Sequence, residues 1–345
     1  MHAGKRRARG SRYRSGFFAF LAAVELLASS GTGSAPTIEE FVLPHTQSGP
    51  SDIVAGSDGN LWFTEEEYGN RIGRITPSGD VTEFPLASSP PGSFPRGIAA
   101  GPDGNVWFTE LVGKIGRITP AGAIQEFVIP GGRSEPIEIV AGPDGNLWFT
   151  DYYNRIGRIT TAGAVTLFDV PTPSSAPRFI SAGPDGNLWF TENAANQLGR
   201  ITPAGTITEI ALDPLTGPFG MTWGPDGNLW FTEYSANRIA RRTLSGALAE
   251  FTIPTPNCGP SEITSGSDGN LWFTETVANR VARITVTGEI TEFPVPTSMS
   301  SPYGIASGPD GNVWFTEFSK DRISRIEIAP TSPRRTRVVS FRAPA

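Results

Sequence analysis

Seven tryptophans, Trp62, Trp107, Trp148, Trp189, Trp230, Trp272 and Trp314, stand 45, 41, 41, 41, 42 and 42 residues apart, each inside a close copy of GPDGNLWFTE. An internal period near 42 residues is the length of one four-stranded propeller blade. In the third copy, PIEIVA (136–141), NLWFTD (146–151), RIGRIT (155–160) and AVTLF (164–168) read as four short strands separated by turn residues. The expectation is an all-β chain: a seven-bladed β-propeller of four-stranded blades over residues 35–330. The 40 glycines and 31 prolines fall at regular intervals, which suits many tight turns rather than disorder.

Within the unit, Pro-Asp-Gly-Asn between two apolar runs is turn chemistry, because proline presets φ and glycine accepts positive φ. Asp58, Asp103, Asp144, Asp185, Asp226, Asp268 and Asp310 are therefore read as turn residues rather than calcium ligands, since no alternating acids surround them. Leu-Trp-Phe-Thr places large side chains between adjacent blades. The strand ends on Glu65, Glu110, Asp151, Glu192, Glu233, Glu275 and Glu317, and the next strand carries Arg74, Arg117, Arg158, Arg200, Arg241, Arg283 and Arg325. With the fourth-strand acids Glu83, Glu126, Glu209, Glu250 and Glu292, these suit cross-strand ion pairs. No fourth strand follows Ile326 at the usual distance, whereas TIEEFVLP at 37–44 aligns with ITEFPVP at 290–296. The N-terminal strand is expected to close the ring, with TRVVSF at 336–341 as its rival.

Residues 1–34 differ from the rest. MHAGKRRARGSRYR holds six positive charges, FFAFLAAVELLASS is apolar but short for a bilayer span, and small residues follow. This order predicts a signal peptide and a secreted, periplasmic or cell-envelope protein with no transmembrane span in its mature chain. That segment lacks cysteine, which argues against a lipid anchor. The first 34 residues hold six of the 28 basic side chains and one of the 34 acids, so the remainder carries 22 basic against 33 acidic residues, a net of −11. So acidic a body argues against nucleic-acid binding. Residues 331–345 form a basic tail with Arg334, Arg335, Arg337 and Arg342, read as a solvated terminus. Cys258 is the single cysteine, which excludes an intramolecular disulfide and suits a packing role, and His2 and His45 are the only histidines.

What recurs in every blade is structure, so function is sought where the blades differ. The residue after the inner-strand proline runs Ser51, Arg96, Ile137, Arg178, Phe219, Ser261, Tyr303, and the next runs Asp52, Gly97, Glu138, Phe179, Gly220, Glu262, Gly304. Inner strands surround the axis of a propeller, and their ends form its usual binding face. Ser51, Asp52, Arg96, Glu138, Arg178, Phe219, Ser261, Glu262 and Tyr303 are thus candidate ligand-binding residues, with Asp52, Glu138 and Glu262 as candidate metal ligands. The competing reading is a set of charges neutralising one another around a water-filled channel.

The repeated unit, P-x-x-I-x-x-G-P-D-G-N-L-W-F-T-E followed by N-x-I-G-R-I-T and G-x-I-T-E-F, resembles the virginiamycin B lyase (streptogramin lyase) family over roughly residues 37–326. The resemblance implies a seven-bladed propeller and a Mg²⁺-assisted elimination that opens the ester of a cyclic depsipeptide. It also implies Pro-His in the sixth and seventh units, where this chain has Ser261 and Tyr303. The implied glutamate falls on Ser301 and the implied tyrosine on Ser51, while Glu317 matches the family's acid. Elimination needs a base near neutral pKa, which serine is not. Tyr303 would need a strongly lowered pKa, with Arg96 or Arg178 close by. Tyr303 and Glu317 are the catalytic candidates that remain, and no cofactor is certain, Mg²⁺ being implied by resemblance alone. The leading expectation is a monomer that binds a small molecule or protein partner at its channel mouth. Alternatives are a metal-dependent lyase or hydrolase acting on a cyclic ester or lactone, and a structural recognition module.

Overall fold

Each repeat folds into one antiparallel sheet with its strands in chain order, as its alternation and turn spacing require. The computed structural model describes residues 36–67, 70–87 and 92–328. The signal segment, the basic tail and the rival strand at 336–341 lie outside them. In blade three the strands are Pro136–Ala141, Leu147–Asp151, Arg155–Ile159 and Val165–Asp169, within a residue or two of their expected places. Six sheets are built this way, and the seventh orders Pro302–Ser307, Val313–Glu317, Arg322–Ile326 and, outermost, Ile38–Val42. The N-terminal strand closes the ring, with Ile38 opposite Ile326 and Val42 opposite Arg322. Inner strands of successive blades pack against one another around the circle, Pro50–Ala55 of blade one meeting Pro302–Ser307 of blade seven. No helix among the described residues is long and apolar enough to cross a membrane.

The core lies between blades. Trp62, Trp107, Trp148, Trp230, Trp272 and Trp314 are essentially inaccessible to water, each packed with apolar residues of its own blade and the next. Cys258 is buried in one of these clusters, and burial pushes its thiol pKa up, consistent with a packing role. Every turn aspartate accepts the indole N–H of the tryptophan four residues on: Asp144 takes it from Trp148 at 2.9 Å and the side-chain amide of Asn146 at 2.7 Å. Burial alone would raise the Asp144 pKa, but these hydrogen bonds outweigh it and hold it below the usual carboxylate range. The first glycine of the motif is dictated by the same contact, since a Cβ at Gly142 would lie 2.4 Å from Trp148. Asp144→Ala is expected to strand the buried indole donor and cost about 2 kcal/mol, a fall in Tm of roughly 4–8 °C. Asp144→Asn keeps an acceptor and should lose less than half of that in a calorimetric melt.

The charge pairing differs from the sequence expectation. The ladder sets Glu65 opposite Arg71, and Arg74 opposite Trp62. Arg74 stacks over the Trp62 and Phe84 rings and donates to the Pro120 carbonyl of the next blade. Arg117, Arg158, Arg241 and Arg325 make the equivalent inter-blade bonds and pair with the turn aspartates of their own blades, Arg325 also with Glu39 of the closing strand. The fourth-strand acids pair instead with the first residue of the third strand, as in Lys114–Glu126 at 2.7 Å and Arg280–Glu292 at 3.4 Å. The physical reason is the two-residue period of a strand: positions three apart face opposite ways.

Candidate functional site

The residues that differ between blades are held in place by one that does not. Each inner strand begins with a register shift, between Pro50 and Ile53 in blade one and between the equivalent residues in the other six. Such a bulge leaves ladder groups unpaired, and the threonine of WFTE satisfies them. Thr150 accepts the Glu138 N–H at 3.1 Å and donates to the Arg178 carbonyl of the next blade at 2.7 Å. All seven threonines repeat this, ending with Thr316 donating to the Ser51 carbonyl across the closure. The first variable position of every blade is thereby riveted to its neighbour.

At the second variable position, Asp52, Glu138 and Glu262 meet on the axis. Their side chains reach one another past glycines of the intervening blades. A Cβ at Gly97 would sit 2.6 Å from the Ile137 carbonyl oxygen, and one at Gly304 2.4 Å from that of Ser51. Asp52 accepts the Ile53 N–H at 2.7 Å and the Ile98 N–H at 2.9 Å, Glu138 that of Ile139 at 3.0 Å, and Glu262 that of Ile305 at 3.2 Å. All three are buried. Burial raises the Asp52 pKa to about 7 against the pull of its hydrogen bonds, including those shared with Glu262 and Glu138. Burial first, then the neighbouring acids, raises Glu138 and Glu262 well above the usual range. Buried carboxyls this close to one another resist ionising together. Among the described residues no group of three or more His, Cys, Asp or Glu is arranged to hold a metal ion.

The first variable position forms the mouth. A pocket of about 160 Å³ opens there, lined by Ser51, Arg96 and Tyr303 with Glu66, Thr276, Ser301 and Phe318. Arg96 donates to the Tyr303 hydroxyl at 3.0 Å and to Glu66 at 3.3 Å, with its guanidinium over the Tyr303 ring. Burial pushes the Tyr303 phenol up to about 12 even though Arg96 pulls it down, so Tyr303 is a poor base. The Ser51 hydroxyl is buried without a hydrogen-bond partner. Around the ring, Tyr303 meets Phe219 edge to face at 6.3 Å, Phe219 meets Tyr234 at 5.9 Å and Phe179 at 5.1 Å, and Arg178 lies between the Tyr152 and Phe219 rings.

Two candidates stand apart from this mouth. Ser261 is buried, its hydroxyl engaged with that of Thr276 at 2.7 Å. Glu317 does not line the pocket; it is fully buried and accepts a hydrogen bond from Ser324, and burial raises its pKa. His45 sits on Glu83 at the outer strand of blade one. Sequence reasoning missed Glu66, Tyr152, Tyr234, Thr276 and Phe318, although the signal was present. The residue after WFTE or WFTD varies from blade to blade as Glu66, Leu111, Tyr152, Asn193, Tyr234, Thr276 and Phe318. Since Pro50 pairs with Glu65, this position lies at the same end of the blade as Ser51.

The mouth gathers hydroxyls, an arginine already paired with Glu66, and aromatic rings, and Glu66 is the one carboxylate lining the pocket. That donor set does not fit a magnesium ion, which prefers several oxygen ligands of carboxylate or water type and no guanidinium beside them.

A closed ring of seven four-stranded blades defines a β-propeller, a class whose binding faces usually lie at the ends of the inner strands. Residues 32–185 and 154–332 match the model of the virginiamycin B lyase family, and the chain belongs to that family. It is similar to virginiamycin B lyase from Staphylococcus aureus, with 41% identity and a TM-score of 0.80 over 85% of this chain and 100% of that one. A catalytically inactive histidine-to-alanine variant of the S. aureus enzyme, crystallised with quinupristin, gives 40% identity and a TM-score of 0.81 over the same shares. A 42-residue stretch is 48% identical to virginiamycin B lyase from Bacillus licheniformis, spanning 12% of this chain and 14% of that enzyme.

Proposed function

We propose that this protein is an exported member of the family that binds a ligand at its channel mouth without the family's elimination chemistry. The observation that carries this reading is the absence of a base. In the S. aureus relative a histidine-to-alanine change accompanies loss of catalysis. The only histidines of this chain are His2 and His45, and His45 is engaged with Glu83 rather than lining the pocket. At the positions the resemblance assigns to histidine, Ser261 is occupied by Thr276 and Tyr303 is a phenol held by Arg96. Abstraction of a proton beside a carbonyl needs a group poised near neutral pH and, for the developing enolate, a cation. The mouth offers neither, so the chemistry open to it is recognition by stacking, hydrogen bonding and charge. The leader at 1–34 supports export, and the acidic body disfavours nucleic acid.

Incubation with virginiamycin B and Mg²⁺, followed by liquid chromatography and mass spectrometry, tests this directly. The expected result is an unchanged depsipeptide whose binding shows in titration calorimetry. An isomeric ring-opened product would reveal elimination, and a product that gains water would reveal hydrolysis. Either product would overturn the reading.

A further inference from the structure

Arg178 is the one mouth cation whose only partners among the described residues are aromatic rings. It forms no hydrogen bond or ion pair there, and its Nε is buried and unsatisfied. Arg96, by contrast, is committed to Glu66 and Tyr303. The Arg178 guanidinium lies 5.7 Å from the Tyr152 ring centre and 5.8 Å from that of Phe219. Leaving a half-buried guanidinium unpaired beside a second one is costly, and burial, then repulsion from Arg96, lowers its pKa. Aromatic faces hold the planar group in one orientation, with Nε buried and the two terminal nitrogens left for a planar, two-oxygen acceptor. Tyr234 extends the wall beyond Phe219 and is itself exposed, as is Leu215 on the segment entering blade five. The neighbouring 160 Å³ pocket is smaller than the roughly 300 Å³ at which drug-sized sites begin. A ligand held by Arg178, which does not line that pocket, would therefore lay its body on this apolar rim.

We infer that the ligand is a carboxylate carried on an aromatic or apolar body, with the carboxylate against Arg178 and the body against Phe219, Tyr152 and Tyr234. This rests on the reading of the mouth as a ligand site and adds the ligand's chemical class. Cation–aromatic stacking fixes the arginine, two parallel N–H···O bonds take the anion, and the edges of the rings meet the apolar body.

The test is a titration series on the purified full chain, read by calorimetry and thermal shift. Phenylacetate and indole-3-acetate are compared with their amides, with acetate and with inorganic phosphate. The aromatic acids are expected to bind at least tenfold more tightly than their amides, and acetate and phosphate at least tenfold more weakly than the acids. Arg178→Gln should abolish the preference for acid over amide, Arg178→Lys should keep only part of it, and Phe219→Leu should weaken acid and amide alike. Circular dichroism confirms that each variant is folded. Equal affinity for acid and amide, or an unchanged preference in Arg178→Gln, would overturn the inference, as would no binding by any acid. Virginiamycin B separates the two levels: if it binds while every carboxylate fails, only the ligand class falls, and if nothing binds, the mouth reading falls with it.

Discussion

Deleting residues 36–44 is expected to leave a chain that melts at least roughly 15 °C below the full protein, or that does not fold. The strand Ile38–Val42 supplies a complete outer ladder to Arg322–Ile326. Phe41 stacks on Trp314 at 5.4 Å and packs against Gly79 of blade one, and Leu43 is buried. Truncating side chains of this kind costs about 2–4 kcal/mol each. The charged residues add more links: Glu39 pairs with Arg325, and Glu40 accepts from the Thr297 N–H at 2.8 Å and its hydroxyl at 2.9 Å. Thr255 makes the same two bonds to Glu292 in the preceding blade, so the N-terminal strand reproduces these bonds of an ordinary fourth strand. Beyond it, Asp321 accepts the N–H groups of Gln47 and Ser48, anchoring the segment that enters blade one. The whole clasp approaches the 5–15 kcal/mol that holds an average domain folded. Truncation after Ile328 should leave the melt unchanged, because the described fourth strand is already in place. A permutant carrying residues 37–43 behind Ile326 through a TPAG turn should melt at or above the native temperature, since it makes covalent a pairing the native chain must close through space. A melt of the 36–44 deletion within a few degrees of native would sink the assignment.

The closure was readable because TIEEF keeps the spacing of ITEF, and the blade count because a tryptophan marks each unit. What strand alternation could not show is the bulge. With one extra residue at the start of each inner strand, two consecutive variable positions both serve the axis, Arg96 at the mouth and Asp52 or Glu138 below it. The threonine repeated in every WFTE or WFTD reads as an ordinary strand residue until that bulge supplies its partners. Pairing errors had a simpler origin: Arg71 and Arg74 are both basic, and only their parity tells which faces Glu65. The convergence of Asp52, Glu138 and Glu262 was legible as composition of the ring but not as contact, since it depends on glycines in the blades between them.

Those acids, with the ones that end the second strands, set the second large effect: the protein is expected to be more stable at pH 5 than at pH 8. Burial raises Glu65, Glu192 and Glu233 to about 7 and Glu275 to about 8, with the neighbouring acids Glu83, Glu209, Glu250 and Glu292 adding to the effect. Asp52 stands at about 7, and Glu138, Glu262 and Glu317 are raised as well. In the unfolded chain these carboxyls ionise near 4, so between pH 4 and 8 the native state binds more protons than the unfolded one. Stability contributed by a raised carboxyl is fully present below its unfolded pKa and is lost as pH rises through the folded value. The turn aspartates, such as Asp144 and Asp226, are lowered and act oppositely, but only below about pH 4. The optimum should fall near pH 5. One pKa unit realised at only three of the raised groups amounts to about 4 kcal/mol, a drop in Tm of roughly 10 °C from pH 5 to pH 8. Glu275→Gln removes one titrating group, and should flatten the slope by raising Tm at pH 8 while changing it little at pH 5. Calorimetric scans of both proteins across this range decide the matter: a Tm that climbs from pH 5 to pH 8 would mean that these carboxyls ionise freely in the folded ring.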